Sequence, residues 1–142
     1  VTSHVSAFQD LMPTFAEIIG LKKPEQSDGI SFLPLLLGKV QEKHEYLNWE
    51  FQLSGWFQTL PDGGFRQSVR LGKFKGVRYG IDSKIELYDL NEDESETNDL
   101  SEKHPEIIAR ISKIFKTSRN QAPAFPYGGV KQSHISMYRY PN

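Results

Sequence analysis

Apolar residues recur at helical spacing near the start of the chain. One helix is predicted between an N-cap at Asp10 and a stop at Gly20, with an apolar face of Leu11, Phe15, Ile18 and Ile19. A second, shorter helix is predicted from Ser31 to Leu37, because Ser31 suits a cap and Gly38 follows the apolar run. We expect both helices to have an apolar face that must be buried.

From residue 45 the apolar period changes to that of β-strands. Residues 45–53 alternate, which predicts a half-buried strand whose apolar face carries Leu47, Trp49, Phe51 and Leu53. Further short strands are predicted at residues 67–71, 74–79 and 85–90. The Pro61-Asp62-Gly63-Gly64 turn makes residues 54–65 a long hairpin loop. Four strands joined by hairpins imply an antiparallel sheet.

The last part of the pattern is an acidic segment, a helix and a tail. Residues 91–99 carry five acids and suit a solvated connection. A helix is predicted to begin at Pro105, with an apolar stripe of Ile107, Ile108, Ile111, Ile114 and Phe115. The predicted class is α+β: a four-stranded antiparallel sheet with a packed carboxy-terminal helix, preceded by one or two short helices. Residues 120–142 are expected to form an irregular tail.

Composition narrows the possible functions. The 142 residues suffice for one domain with tails, and a net charge of −1 gives no basic excess for nucleic acid. The longest apolar run, residues 32–37, is interrupted by Pro34 and is too short to span a bilayer. The chain has no cysteine, which excludes disulfides, thiolate metal sites and a cysteine nucleophile.

Candidate metal ligands and catalytic motifs are weak in this chain. No two of its histidines fall at the i, i+4 spacing of a helical metal site, these being His4, His44, His104 and His134. We expect His44, in the charged Gln-Glu-Lys-His-Glu segment, to be exposed. The acidic segment lacks the glycine of a calcium-binding EF-hand loop, and no nucleophile elbow, zinc-protease, phosphate-loop or dinucleotide motif occurs. We therefore predict no metal site and assign no catalytic residue.

The predicted loop between residues 53 and 66 carries the candidate substrate contacts. Trp56 and Phe57 could stack on a sugar ring, because an exposed aromatic offers a large flat face at a small entropic cost. Alternatively, Trp56 packs back on the sheet or on a neighbouring domain, and we favour this packing. Arg66 could steer an anionic ester through charge-assisted hydrogen bonds.

Several motifs follow one another in an order that resembles the carboxy-terminal part of a sulfatase. A D-x-x-P-T helix begins at Asp10 and precedes a D-G-x-S-x-x-P-x-L-x-G segment that begins at Asp28. A W-E-F strand at 49–51, a V-R-x-G-K-x-K hairpin at 69–75 and E-L-Y-D-L at 86–90 come next. A D-x-x-E turn at 93–96 and H-P-E at 104–106 complete the series. The resemblance covers about the first 125 residues and is carried by the fixed order of these motifs.

The resemblance implies an alkaline-phosphatase-like catalytic domain followed by a smaller sheet-and-helix subdomain. Residues 1–44 would be the end of the catalytic-domain region with its connecting helices, residues 45–119 the carboxy-terminal subdomain, and residues 120–142 the tail. Sulfatases use a formylglycine nucleophile and a calcium ion, and their motifs precede the segment present in this chain. The resemblance therefore implies that both groups belong to a longer parent protein.

The resemblance predicts part of an arylsulfatase-like sulfuric ester hydrolase that acts on sulfated carbohydrate and is inactive as an isolated chain. Its partners would be the upstream catalytic domain of the same polypeptide and the substrate, and its location would be periplasmic or extracellular. Two alternatives remain: a stand-alone carbohydrate-binding or interaction module, and a related phosphoric-ester hydrolase. Exposed apolar helix faces would make the isolated chain self-associate.

Overall fold

The computed structural model describes residues 2–52 and 64–120. These residues fall into two compact units, one that ends at Leu47 and one that begins at Asn48. In the first unit, a single 3-10 turn at Phe8–Asp10 runs directly into helix α1 (Leu11–Ile18). A short helix, α2 (Leu33–Leu36), follows after a loop.

The second unit is built on one four-stranded sheet. Its strands are β1 (Leu47–Gln52), β2 (Phe65–Leu71), β3 (Phe74–Tyr79) and β4 (Glu86–Asp89), and they lie side by side in chain order. Strands β2 and β3 pair antiparallel, as do β3 and β4. Helix α3 (Pro105–Thr117) completes the unit. The structure thus confirms the α+β class, with an antiparallel sheet and a carboxy-terminal helix.

Helix α3 packs on one face of this sheet. The register places Val69 opposite Gly76, and Gly76 opposite Leu87, so these three positions share a face. A Cβ atom added at Gly76 would lie 2.7 Å from Cδ1 of Ile111, a distance that shows how closely the helix approaches β3. Burial of Ile111 and Phe115 against this face forms the core of the unit.

The predicted burial of β1 is only partly correct. Leu47 is buried, but Trp49 is 42% exposed and Phe51 is 57% exposed. Alternation identified one face of the strand as apolar, yet helix α3 covers the other face of the sheet. Leu53, the Pro61–Gly63 part of the predicted turn and the tail from residue 121 lie outside the described residues.

Both ends of α1 lie where the sequence predicts them, but the Asp10 side chain does not cap the helix. Gly20 has a φ of 76°, and the N–H of Leu21 donates to the carbonyl of Ala16 at 2.8 Å. The Asp10 side chain makes no capping hydrogen bond to α1. It caps the preceding 3-10 turn instead, accepting a hydrogen bond from the N–H of Ala7 at 2.7 Å. Asp10 is therefore the N-cap residue of α1, as predicted, but its carboxylate is turned back toward the incoming chain and does not cap the helix.

The apolar face of α1 is not buried within the described residues. Phe15, Ile18 and Ile19 are 57%, 53% and 68% exposed, whereas Thr14 and Ala16 are buried. The helix therefore uses a small, partly polar side to contact the rest of its unit. Its larger side chains remain at the surface.

Gly29 occupies a position with no room for a side chain. A Cβ atom there would lie 2.0 Å from the carbonyl oxygen of Gln9 and 3.0 Å from the backbone nitrogen of Asp10. Both contacts are with backbone, which cannot rotate away as a side chain can. The glycine of the Asp28-Gly29 motif is thus required by the close approach of two chain segments.

We expect Gly29→Ala to destabilise the protein by about 3 kcal/mol, because the backbone must move to admit the methyl group. Gly20→Ala is the matched control: its positive φ carries strain of about 1 kcal/mol, but nothing lies within 4 Å of the added Cβ. Urea denaturation followed by circular dichroism would measure both free energies of unfolding. An equal or smaller effect at Gly29 would contradict the close approach.

Candidate functional site

Three segments of the first unit contact the carboxylate of Asp10, which is 1% exposed. One carboxylate oxygen, Oδ2, accepts from the N–H of Ala7 at 2.7 Å. The other, Oδ1, accepts from the N–H of Ile30 at 2.9 Å and lies 2.8 Å from Nε2 of His44. The Asp10 side chain thereby joins its own segment to Ile30 and His44, which lie 20 and 34 residues further along the chain.

Thr14, in the same motif, makes the second link of this cluster. Its hydroxyl donates to the carbonyl of Asp10 at 2.6 Å and accepts from the N–H of Phe32 at 3.0 Å. The D-x-x-P-T helix and the D-G-x-S segment are therefore joined directly, through the Asp10–Ile30 and Thr14–Phe32 hydrogen bonds. Further on, the Ser31 hydroxyl accepts from the N–H of Leu33 at 3.2 Å at the start of α2.

Burial and hydrogen bonding shift the pKa of Asp10 in opposite directions. Burial raises the pKa of Asp10, but the backbone N–H groups of Ala7 and Ile30 and the His44 ring lower it, and the pKa lies below the usual range. The carboxylate is consequently charged at neutral pH. The prediction that His44 is exposed is wrong, since its side chain is only 11% exposed and contacts this carboxylate.

An Asp–His pair can orient an imidazole for acid–base catalysis. Here, however, the carboxylate also accepts two backbone hydrogen bonds that tie the chain together. The pair therefore has a clear structural task. We place Asp10 and His44 in the framework of the first unit and assign them no chemical step.

In the second unit, the motif lysines bind the motif acids. Nζ of Lys73 lies 2.6 Å from Oδ2 of Asp89, which links the β2–β3 hairpin to the end of β4. Nζ of Lys75 lies 2.5 Å from Oε1 of Glu96, which itself has a positive φ of 56°. The hairpin motif, E-L-Y-D-L and D-x-x-E are thus paired with one another across the sheet edge.

The acidic segment after β4 is organised by backbone N–H groups. Asp93 accepts from the N–H groups of Thr97 and Asn98, and the Asn98 hydrogen bond is the largest of the effects that lower the pKa of Asp93. Asp99 accepts from the N–H groups of Leu87 and Ser101. Burial raises the pKa of Asp99, but these hydrogen bonds outweigh it and lower the pKa to about 2.

The carboxylates of this segment do not form a metal centre. Within residues 2–52 and 64–120, no three His, Cys, Asp or Glu side chains come together in a group that could hold a metal ion. The oxygens of Asp93 and Asp99 face N–H and hydroxyl donors, which a cation would have to displace. These residues therefore do not fit a calcium ion, which the sulfatase resemblance assigns to the longer parent protein and not to this segment.

A polar network that periodicity did not reveal lies between the sheet and the end of α3. Oε1 of Glu50 accepts from Nε2 of Gln67 at 2.6 Å, and Oε2 accepts from Nε of Arg119 at 2.9 Å. Oε1 of Gln67 accepts from Nε of Arg78 at 2.6 Å, and that guanidinium stacks 5.0 Å from the Phe115 ring. The Glu50–Arg119 pair is nearly buried, at 10% and 7% exposed. Glu50, in the W-E-F motif, thus ties an edge strand to the chain after α3.

Of the predicted substrate contacts, only Arg66 lies in a described region. It is the second residue of β2, and its guanidinium carbon lies 4.6 Å from the centre of the Tyr79 ring. Trp56 and Phe57 lie outside the described residues. A substrate contact by any of the three stays a prediction.

No helix that the structure describes is both long enough and apolar enough to cross a bilayer.

Comparison with known proteins identifies the class. A family described as "N-sulphoglucosamine sulphohydrolase, C-terminal" matches residues 2–121. The Delta 4,5-hexuronate-2-O-sulfatase of Bacteroides thetaiotaomicron is 32% identical over 103 residues, which cover 70% of this chain and 21% of that protein. Human arylsulfatase K is 27% identical over 117 residues, covering 78% of this chain and 21% of that protein.

Solved structures agree with this result. The structure of BT1596, a 2-O GAG sulfatase, superposes with a TM-score of 0.65 at 28% identity, covering 77% of this chain and 23% of that chain. The sheet and helices described above therefore have the fold of the carboxy-terminal portion of a sulfatase. The chain belongs to the N-sulphoglucosamine sulphohydrolase carboxy-terminal family. It spans about a fifth of the length of the curated relatives that it matches.

Proposed function

We propose that this chain is the carboxy-terminal part of a sulfatase that hydrolyses sulfate esters of sulfated carbohydrate. The observation that carries the proposal is the family match over residues 2–121, in which the matched motifs bind one another. Residues 1–44 would end the catalytic-domain region, and residues 45–119 would form the carboxy-terminal subdomain. The substrate class is supported by relatives named as a hexuronate-2-O-sulfatase and a GAG sulfatase.

In this proposal the reaction is carried out by the upstream domain of the same polypeptide. Formylglycine would supply the nucleophile there, and calcium would stabilise the charge on the sulfate group. The 142-residue chain would be inactive alone and would hold the subdomain beside the catalytic domain. Because sulfated polysaccharides are met outside the cell, we place the parent protein in the periplasm or the extracellular space.

The surface of the first unit supports a docked role over a stand-alone module. Large apolar side chains are exposed on and around α1 and α2, including Phe8, Met12, Phe15, Ile19, Leu36, Leu37 and Val40. A soluble monomer rarely exposes so many apolar side chains in one short segment. An upstream domain of the same polypeptide would cover them and remove the cost of their exposure to water.

The proposal is tested by expressing the chain together with its upstream coding sequence. We expect a C/S-x-P-S-R motif upstream and release of sulfate from sulfated oligosaccharides by the complete protein, measured by ion chromatography. The 142-residue chain should release none. A gene that begins with a signal peptide directly before Val1, with no upstream catalytic domain, would contradict the proposal and favour the stand-alone module.

We further propose that Trp56, Phe57 and Arg66 lie on the substrate side of the complete enzyme. Trp56→Ala should then raise KM or lower kcat/KM for the oligosaccharide by about tenfold, as expected for loss of one stacking contact. Lys113→Ala, which changes an exposed residue of α3 outside that loop, is the control and should leave both parameters unchanged. Unchanged KM and kcat for Trp56→Ala would remove Trp56 from the substrate site.

A further inference from the structure

The sheet of the second unit has a face opposite helix α3, which we call the open face. The register places Arg66 opposite Tyr79, Ser68 opposite Val77, and Arg70 opposite Lys75. These positions alternate with the buried ones that face the helix, so they share the open face. On β4, the residues opposite Val77 and Lys75 are Glu86 and Tyr88.

Strand β1 adds two large aromatic side chains to the open face. Glu50 binds Gln67 and Arg119 on the helix side of the sheet. Because strand side chains alternate, the neighbouring Trp49 and Phe51 project from the opposite side. Trp49, Phe51 and Tyr79 are 42%, 57% and 41% exposed, so aromatic rings lie at the surface of two strands.

An antiparallel sheet can leave one face in water, but that face is then normally polar. The open face instead combines aromatic rings with basic groups. Arg66, Arg70 and Lys75 contribute three positive charges, against one negative charge from Glu86 on the same strands. The Glu86 carboxylate accepts from the Tyr88 hydroxyl at 2.7 Å, and Lys75 pairs with Glu96. A complementary partner would be apolar at its centre and polar at its rim.

This chain spans 21% of the length of the hexuronate-2-O-sulfatase. In a protein of that length, most of the polypeptide would lie outside this chain. The missing part is covalently attached in such a protein, so it is present at high effective concentration beside any exposed surface. The residues that contribute most to stable interfaces are enriched in aromatic side chains, and the open face presents Trp49 and Phe51. Resting on the proposed function, we infer that the open face docks the upstream catalytic domain of the same polypeptide, with Trp49 and Phe51 as the central contacts.

Site-specific photocrosslinking in the complete polypeptide tests this inference. Phe51→p-benzoylphenylalanine should crosslink, on irradiation, to peptides that precede Val1, as identified by mass spectrometry. Lys113→p-benzoylphenylalanine is the matched control, because Lys113 is an exposed residue of α3 on the other side of the sheet. The control should give no crosslink to the upstream sequence.

Three outcomes would overturn the inference. Crosslinks from position 51 only to residues within this chain would mean that the chain covers its own open face. Crosslinks only to a second copy would indicate a homo-oligomer, and crosslinks only to added heparin would indicate a glycan-binding face. Sulfate release is measured separately, so an inactive protein with the expected crosslink would contradict the proposed function and leave the docking surface standing.

Hydroxyl-radical footprinting of the same polypeptide gives a readout without substitutions. Labelling of Trp49, Phe51 and Tyr79 should fall to the level of Phe65 and Phe115, which are 1% and 0% exposed. His104, whose side chain is 36% exposed at the start of α3, should stay labelled. Strong labelling of Trp49 and Phe51 in the folded, complete protein would overturn the inference.

Discussion

The first unit depends on one physical constraint: the buried carboxylate of Asp10 must be satisfied by hydrogen bonds. A charged group taken out of water is costly unless donors surround it. Ala7, Ile30 and His44 provide those donors and come from three separate segments. Thr14 and Ala16 of α1 face inward, whereas Phe15, Ile18 and Ile19 stay exposed. Because the Thr14 hydroxyl bonds the Asp10 carbonyl and the Phe32 N–H, the contacts around Asp10 hold this side of α1 against the unit.

The second unit follows the same rule with other residues. Lys73 and Lys75 form ion pairs with Asp89 and Glu96 at the sheet edge. Glu50 accepts hydrogen bonds from Gln67 and Arg119 on the face of the sheet that α3 covers. Of these pairs, Glu50–Arg119 is nearly buried, and removing one of its partners would leave an uncompensated charge that costs more than the pair contributes. The residues of the sulfatase-like motifs therefore serve to make contacts within the fold. This explains how a chain without cysteine carries them: these contacts need no nucleophile.

The local periodicity of the sequence was sufficient to predict the helices and strands. It was insufficient to predict which side chains contact one another across the fold. The strand predicted at 74–79 agrees with β3, and Pro105 begins α3, because alternation and first-turn proline are local signals. The pairing of Asp10 with His44 joins residues 34 apart in the chain, and no local pattern encodes it. Alternation in β1 separated Trp49 from Glu50 but could not say which face the helix would cover. The inward, paired role of Glu50 therefore required the structure.

A double-mutant cycle between Asp10 and His44 tests most directly whether the buried carboxylate of Asp10 stabilises the fold through the donors around it. Asp10→Ala, His44→Ala and the double variant would be compared by urea denaturation of the complete polypeptide. We predict that both single variants destabilise the protein and that the coupling energy is about 1–3 kcal/mol, as for residues in one hydrogen-bonded network. Additivity within about 0.5 kcal/mol, with sulfate hydrolysis lost at unchanged stability, would contradict the account and indicate a catalytic pair.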